Sequence, residues 1–159
     1  MLFRPLSRRG VALGIDAGTR VATLAEAEVE RGTGTVKVTR VVASQDMGLV
    51  VNPEGARIQM EGCVTMGLGY ALSEEIHFRG GDIIDRNFGT YQLPHFSWVP
   101  QIDTIFLEDK NDPSQGGGEP SIITMGAVVA NAIFAASGAR LLQLPMTPKR
   151  VTDALTRGS

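Results

Sequence analysis

The sequence holds one cysteine, Cys63, and two histidines, His77 and His95. A single cysteine excludes an intrachain disulfide framework and a multi-cysteine zinc site. The histidines are far apart, with no ligand-type spacing around them, so each is expected on the surface or in a strand rather than on a metal. There is no excess of positive charge. Lys and Arg number 15 against 17 Asp and Glu, a net charge of −2, which leaves no basic footprint for nucleic acid. No apolar run reaches the ~20 residues that cross a bilayer, so no membrane insertion is expected. The opening stretch, MLFRPLSRRG, lacks the apolar centre of an export signal, and the compartment stays open. Internal repeats and low-complexity segments are also missing. What remains is 159 residues, 43% apolar and 20% charged, the profile of one soluble domain spanning 1–159.

Within that domain the patterning changes three times. Residues 11–46 read as strands, because RVATLAEAEVE and TVKVTRVVASQD both alternate with period two. Val36, Val38 and Val41 are their inward candidates, and RGTG at 31–34 is the hairpin turn between them. At VVNPEG the period shifts. Asn52 suits a helix cap, Pro53 the first helical position and Glu54 the first turn. Ile58, Val64, Leu68 and Leu72 carry that helix to about Glu75. Gly62, Gly67 and Gly69 each weaken a helix interior by about 1 kcal/mol, so something packs close or approaches the backbone there. A Gly-Gly hairpin in EIHFRGGDIIDRNF and a strand IDTIFLE follow. Between them YQLPHFSWVPQ reads as a loop packed on the surface, and Tyr91, Phe96 and Trp98 are expected to form a local loop core rather than a face covered by another part. IITMGAVVANAIFAAS, 122–137, is apolar nearly all round and is expected to be buried. Gly138 suits the left-handed position at its end, and Thr147-Pro148 starts a last short helix.

The stretch QGGGEPS, 115–121, is the least ordinary. Three glycines precede Glu119, and a buried helix is expected to follow it. Backbone N–H groups at such a place favour anions, and glycines admit a ligand. A carboxylate there fits two roles, a helix cap or a base beside a ligand, and spacing alone does not choose. An earlier stretch, LGIDAGTR, matches the Asp-x-Gly-Thr phosphate loop of actin-like and sugar-kinase ATPases. No second copy follows, and the glycine loop lacks the Lys-Ser/Thr of a Walker loop, so that reading is weak.

Two segments in order, NPEGARIQMEGCVTMGLGYALSEEI and GGGEPSIITMGAVVANAIFAASGARLLQLPMTPKRV, resemble the C-terminal end of the xanthine dehydrogenase/aldehyde oxidase family. The resemblance is closest to the molybdopterin-binding subunit of bacterial isoquinoline- and nicotinate-hydroxylating enzymes. It covers about residues 9–151 and makes GIDAG a strand and turn. It implies a general-base glutamate beside a metal-activated oxygen that attacks an electron-poor carbon of an N-heterocycle or aldehyde. Glu119 falls on that glutamate. Apolar surroundings would bring such a carboxylate towards the working pH.

The same resemblance places Gln59 on a glutamine that hydrogen-bonds the pterin, a task suited to an amide with donor and acceptor. It turns the backbone of Gly117 and Gly118 towards the cofactor. Met66 departs from the family's second glutamine, and SIITMGA departs from its often proline-rich segment. Cys63 reads as a packing residue, and Glu74-Glu75 as a solvated pair. The resemblance further implies a molybdenum–molybdopterin cofactor in dinucleotide form, the remaining part of the molybdopterin-binding subunit, and a partner subunit with 2Fe–2S clusters. Family members run to roughly 700 residues or more, far above one domain, so most of the pocket lies elsewhere. The chain alone is expected to hold no cofactor and to be inactive, with exposed faces on helix 53–75 and loop 91–99 open to self-association. The fold expected is α+β, an antiparallel sheet with two main helices near 53–75 and 121–137. A structural or interaction module that keeps this fold without cofactor is the alternative.

Overall fold

The computed structural model describes residues 6–107, 109 and 111–157. Residues 1–5, read above for an export signal, and Glu108, the expected end of IDTIFLE, lie outside the described residues.

Three long strands come first: β1 (Leu6–Asp16), β2 (Thr19–Val29) and β3 (Val36–Asp46). Their alternation turns Val21, Thr23, Ala25, Ala27 and Val29 inward on β2. On β3 both Val38 and Val41 are buried although three residues apart. A bulge explains this, since Glu26 pairs Arg40 while Ala27 pairs Val38, leaving Thr39 extra. The DAGT segment is the β1–β2 turn, with Ala17 and Gly18 at φ 48° and 82°. Thr19 is buried and donates its hydroxyl to the Gly116 carbonyl at 2.5 Å, so it serves the fold and not a phosphate. RGTG is the β2–β3 turn, as its glycine suggested.

The sheet order is β1-β2-β3-β6, where β6 spans Gln101–Phe106. β1, β2 and β3 are antiparallel, as expected, but β6 runs parallel to β3. The wholly antiparallel sheet is thus corrected at this edge. The β3–β6 connection carries a helix and a hairpin, long enough to return the chain to the starting end of β3.

That helix, α1 (Pro53–Leu72), begins as expected: Asn52 accepts the Gly55 N–H at 3.0 Å and Pro53 opens the first turn. It stops short of Glu75, because the N–H groups of Ser73 and Glu74 both turn back to the Gly69 carbonyl. Val64 and Leu68 are buried, but Ile58 is exposed and Met60 takes the core place instead. Of the three glycines, Gly67 and Gly69 pack closely. A Cβ on Gly67 would lie 2.6 Å from the Met125 Cβ, and one on Gly69 would lie 2.8 Å from Pro94. Gly62 is open, with nothing within 4 Å.

Beyond α1, β4 (Phe78–Arg79) and β5 (Asp82–Ile83) form the Gly-Gly hairpin. Loop 91–99 does not bury its own aromatics: Phe96 is 93% exposed, and a short 3-10 turn at Phe96–Trp98 contains no buried residue. Tyr91 instead donates to Glu74 at 2.5 Å. Glu75 receives the Arg150 guanidinium through both nitrogens, at 3.1 and 2.7 Å. The acidic pair is therefore engaged rather than simply solvated.

α2 (Met125–Ser137) lies across β1 and β2. Met125, Val128, Val129, Ala132, Ile133 and Ala136 face the sheet, while Ala127 and Phe134 are exposed, so its burial is one-sided and not all round. The backbones meet at Gly10, where a Cβ would come within 2.3 Å of the Val128 carbonyl oxygen. The stretch Pro120–Ser137 is apolar enough over 18 residues to cross a membrane by composition, but more than half of it is buried in the fold. Gly138 ends α2 at φ 82°, as expected. α3 (Pro148–Arg157) closes the chain, with the Thr147 hydroxyl accepting the Arg150 N–H at 3.3 Å.

Candidate functional site

The glycine loop is built on the sheet from below. The Gln115 N–H reaches the Met47 carbonyl at 2.9 Å, and the Gly116 N–H reaches the Ala17 carbonyl at 3.1 Å. Two of its glycines exist for these contacts. A Cβ on Gly116 would sit 2.4 Å from that of Ala17, and one on Gly117 2.4 Å from the Met47 methyl. The bare side of Gly117 therefore faces the protein's own methionine. Gly118 differs: its open side is exposed, with the Gln59 Oε1 3.8 Å from where a Cβ would be.

Glu119 follows on the same surface. It precedes a short 3-10 turn at Pro120–Ile122, and α2 begins only at Met125, so Glu119 is not at the start of the long helix. Its carboxylate is exposed and makes no capping hydrogen bond. The Gln59 amide is exposed nearly two turns above the base of α1 and makes no hydrogen bond with the described residues. The fold thus brings Gln59, Gly118 and Glu119 together from segments about sixty residues apart. Met66 is also exposed on α1 and offers no polar contact.

Around this surface the backbone is held tightly. Cys63 is buried, and its thiol donates to the carbonyls of Gly118 at 3.2 Å and Glu119 at 3.6 Å. Burial pushes the Cys63 thiol up from its ordinary value, and the Glu119 carboxylate pushes it further. Ser121, also buried, donates to the Gln45 Oε1 at 2.7 Å. Gln45 is fully buried on β3, and its Nε2 contacts the Met47 sulfur at 3.4 Å. Tyr70 donates its hydroxyl to the Ile122 carbonyl, and burial raises the Tyr70 pKa. Thr23 and Thr124 share a buried hydrogen bond at 2.7 Å. Sequence reading passed over Gln45, Ser121 and Thr124. Gln45 did carry a signal: it falls in phase with inward Val41 and Ala43, where an uncharged polar residue needs a buried partner.

Helices cover one face of an open sheet, and the Gln59 amide on α1 and the Glu119 carboxylate after the glycine turn are both exposed and without a hydrogen bond among the described residues. Comparison with known proteins gives the family. The model of the molybdopterin cofactor-binding domain matches residues 17–100, just over half of the chain. The chain belongs to this family, and the resemblance read from the sequence holds. It is 40% identical over 134 residues to a nicotinate dehydrogenase subunit of Pseudomonas putida, covering 84% of this chain and 11% of that protein. It is 35% identical over 138 residues to the aldehyde oxidoreductase molybdenum-binding subunit PaoC of Escherichia coli K12, covering 82% of this chain and 19% of that one. The crystal structure of the aldehyde oxidoreductase from Desulfovibrio desulfuricans superposes with a TM-score of 0.77 at 29% identity, over 86% of this chain and 15% of that one. The chain thus spans less than a fifth of the length of each of these three relatives.

Proposed function

We propose that this chain supplies the general base and part of the molybdopterin pocket of a molybdenum hydroxylase acting on an N-heterocycle or an aldehyde with oxygen derived from water. The observation that carries this reading is the grouping of the Gln59 amide, the open side of Gly118 and the unbonded Glu119 carboxylate on one exposed surface. These residues fit the cofactor. A pterin edge carries donors and acceptors side by side, and the free amide of Gln59 matches both. Gly118 leaves room for close approach. The cofactor, when bound, supplies the redox centre that takes up the substrate's electrons.

The chain's own part is proton transfer and positioning. Glu119 takes the proton from the attacking oxygen and must stand within hydrogen-bond reach of it. Its backbone is anchored while its carboxylate is free, which is the condition for a positioned base. Gly117 contributes through the loop's fit against Met47, and Gln59 orients the pterin. The remaining part of the molybdopterin-binding subunit closes the pocket over this surface, the cofactor is the dinucleotide form, and a subunit with 2Fe–2S clusters carries the electrons away.

Glu119→Gln in the assembled enzyme tests the reading. The amide keeps the size but cannot accept the proton, and losing a positioned base slows the chemical step about 10²–10⁴-fold. Molybdenum content and melting temperature should stay at the parent values. A capping carboxylate would give the reverse: about 1 kcal/mol or less of stability lost and turnover kept. Substrate-driven reduction at the parent rate would remove Glu119 from the mechanism.

A further inference from the structure

We propose that Cys63 and Gln45 are the positioning residues of Glu119, gripping its turn from two sides and leaving its carboxylate free. The proposal rests on the reading of Glu119 as the base. A loop with three glycines loses more freedom on ordering than one without them, yet a base misplaced by about 1 Å loses most of its effect. Local hydrogen bonds must therefore fix this turn. From the α1 side the Cys63 thiol donates to the carbonyls of Gly118 and Glu119, at 3.2 and 3.6 Å. From the β3 side the Gln45 side-chain carbonyl accepts the Ser121 hydroxyl at 2.7 Å. All three side chains are buried, Gln45 and Ser121 almost completely. The two grips flank Glu119: one holds the peptide groups on either side of its Cα, the other holds the residue two places on.

The chemistry of each group suits the task. A thiol donates only while protonated, and burial together with the Glu119 charge disfavours the thiolate. Gln45 is held in turn by the sheet. Its backbone carbonyl takes the Leu107 N–H at 3.0 Å, and its amide nitrogen rests on the Met47 sulfur, whose methyl fills the space beside Gly117. The base is thus referenced to both the helix that bears Gln59 and the sheet beneath the loop.

The test uses the full-length protein and three variants. Ser121→Ala cuts the β3 grip. Cys63→Ala and Cys63→Ser remove the sulfur alike, but only serine keeps a donor. If the grips act together, Ser121→Ala raises labelling of Cys63 by iodoacetamide about tenfold. The Ile122 amide, which bonds to the Glu119 carbonyl at 2.9 Å, should exchange about tenfold faster in Ser121→Ala and Cys63→Ala and near the parent rate in Cys63→Ser. Exchange in β2 should not change. In the assembled enzyme kcat should fall in the same order, with KM held and serine restoring the rate. A cysteine that only fills space predicts alanine and serine alike, and that result overturns the proposal. So does parent-rate labelling in Ser121→Ala. Lost turnover in Glu119→Gln with unshifted labelling and exchange would overturn the grips alone. Full turnover in Glu119→Gln would overturn the base reading and, with it, this proposal.

Discussion

Gly62 and Gly67 lie five residues apart on α1, and the structure assigns them opposite responses to alanine. Nothing stands within 4 Å of a Cβ built on Gly62. Gly62→Ala therefore gains helix propensity with no clash, about 1 kcal/mol. In a domain of this size that raises the melting temperature by roughly 2–4 °C. At Gly67 the added Cβ would meet the Met125 Cγ at 2.5 Å and Cβ at 2.6 Å. The Met125 Cβ is fixed to the α2 backbone, so it cannot swing away even if rotation about χ1 moves the Cγ. Overpacking of this kind costs about 1–3 kcal/mol, which outweighs the propensity gain. Thermal unfolding followed by circular dichroism should show Gly62→Ala melting above the parent and Gly67→Ala below it. Gly62 also has a functional arm. Gln59, Gly62 and Met66 are spaced three and four apart and all exposed, so they share one stripe of α1. If the pterin meets this stripe at Gln59, Gly62→Ala in the assembled enzyme lowers molybdenum content while the chain itself becomes more stable. A lowered melting temperature in Gly62→Ala would refute the open helix face. Unchanged molybdenum content would refute the approach at that point.

Local rules made much of this fold legible. Asn52-Pro53, Gly138 and Thr147-Pro148 mark helix ends through short-range geometry, and each stands where its chemistry places it. Period two marked β2 and β3 for the same reason. Long-range facts were not legible. The parallel pairing of β6 depends on where the β3–β6 connection sets the chain down. The burial of Met60 over Ile58 depends on how α1 is rotated against the sheet. The meaning of each glycine depends on its neighbour: Gly10 and Gly67 meet another element, while Gly62 meets none. At the site, family resemblance selected Gln59 and Glu119, and the fold puts them on one surface. It could not select Gln45 or Ser121, because their hydrogen bond joins residues 76 positions apart in the chain.

Further outcomes follow from particular contacts. With Gln59 and Glu119 on an open surface, the chain alone has too little enclosure to retain molybdopterin; elemental analysis should find far less than one molybdenum per chain, and near-stoichiometric metal would refute this. Arg150 holds the Glu75 carboxyl below its ordinary value, so the stabilisation is complete above that ordinary value and is lost as pH falls through the lowered folded one. Glu75→Gln should flatten the loss of stability on acidification in that window, and an unchanged acid limb in urea titrations at stepped pH would count against the pair. The last concerns the sheet face away from the helices. Register sets Leu13, Ala22, Ser44 and Ile105 in one row across four strands, with Leu13 79% and Ile105 47% exposed. The small side chains in the middle leave a trough between two apolar walls, and Val11 and Ile15 extend the first wall at 55% and 72% exposure. Antiparallel sheets with a free face usually turn polar residues outward, and an apolar patch on an edge strand invites association. The chain should therefore self-associate at high concentration and bind a hydrophobic dye. Because lysine at Leu13 and Ile15 adds charge to one wall without touching the core, the double variant should sediment as a smaller species and lose dye binding. If it sediments and binds dye as the parent does, the contact lies elsewhere, with exposed Phe96 and the α1 stripe the next faces to alter.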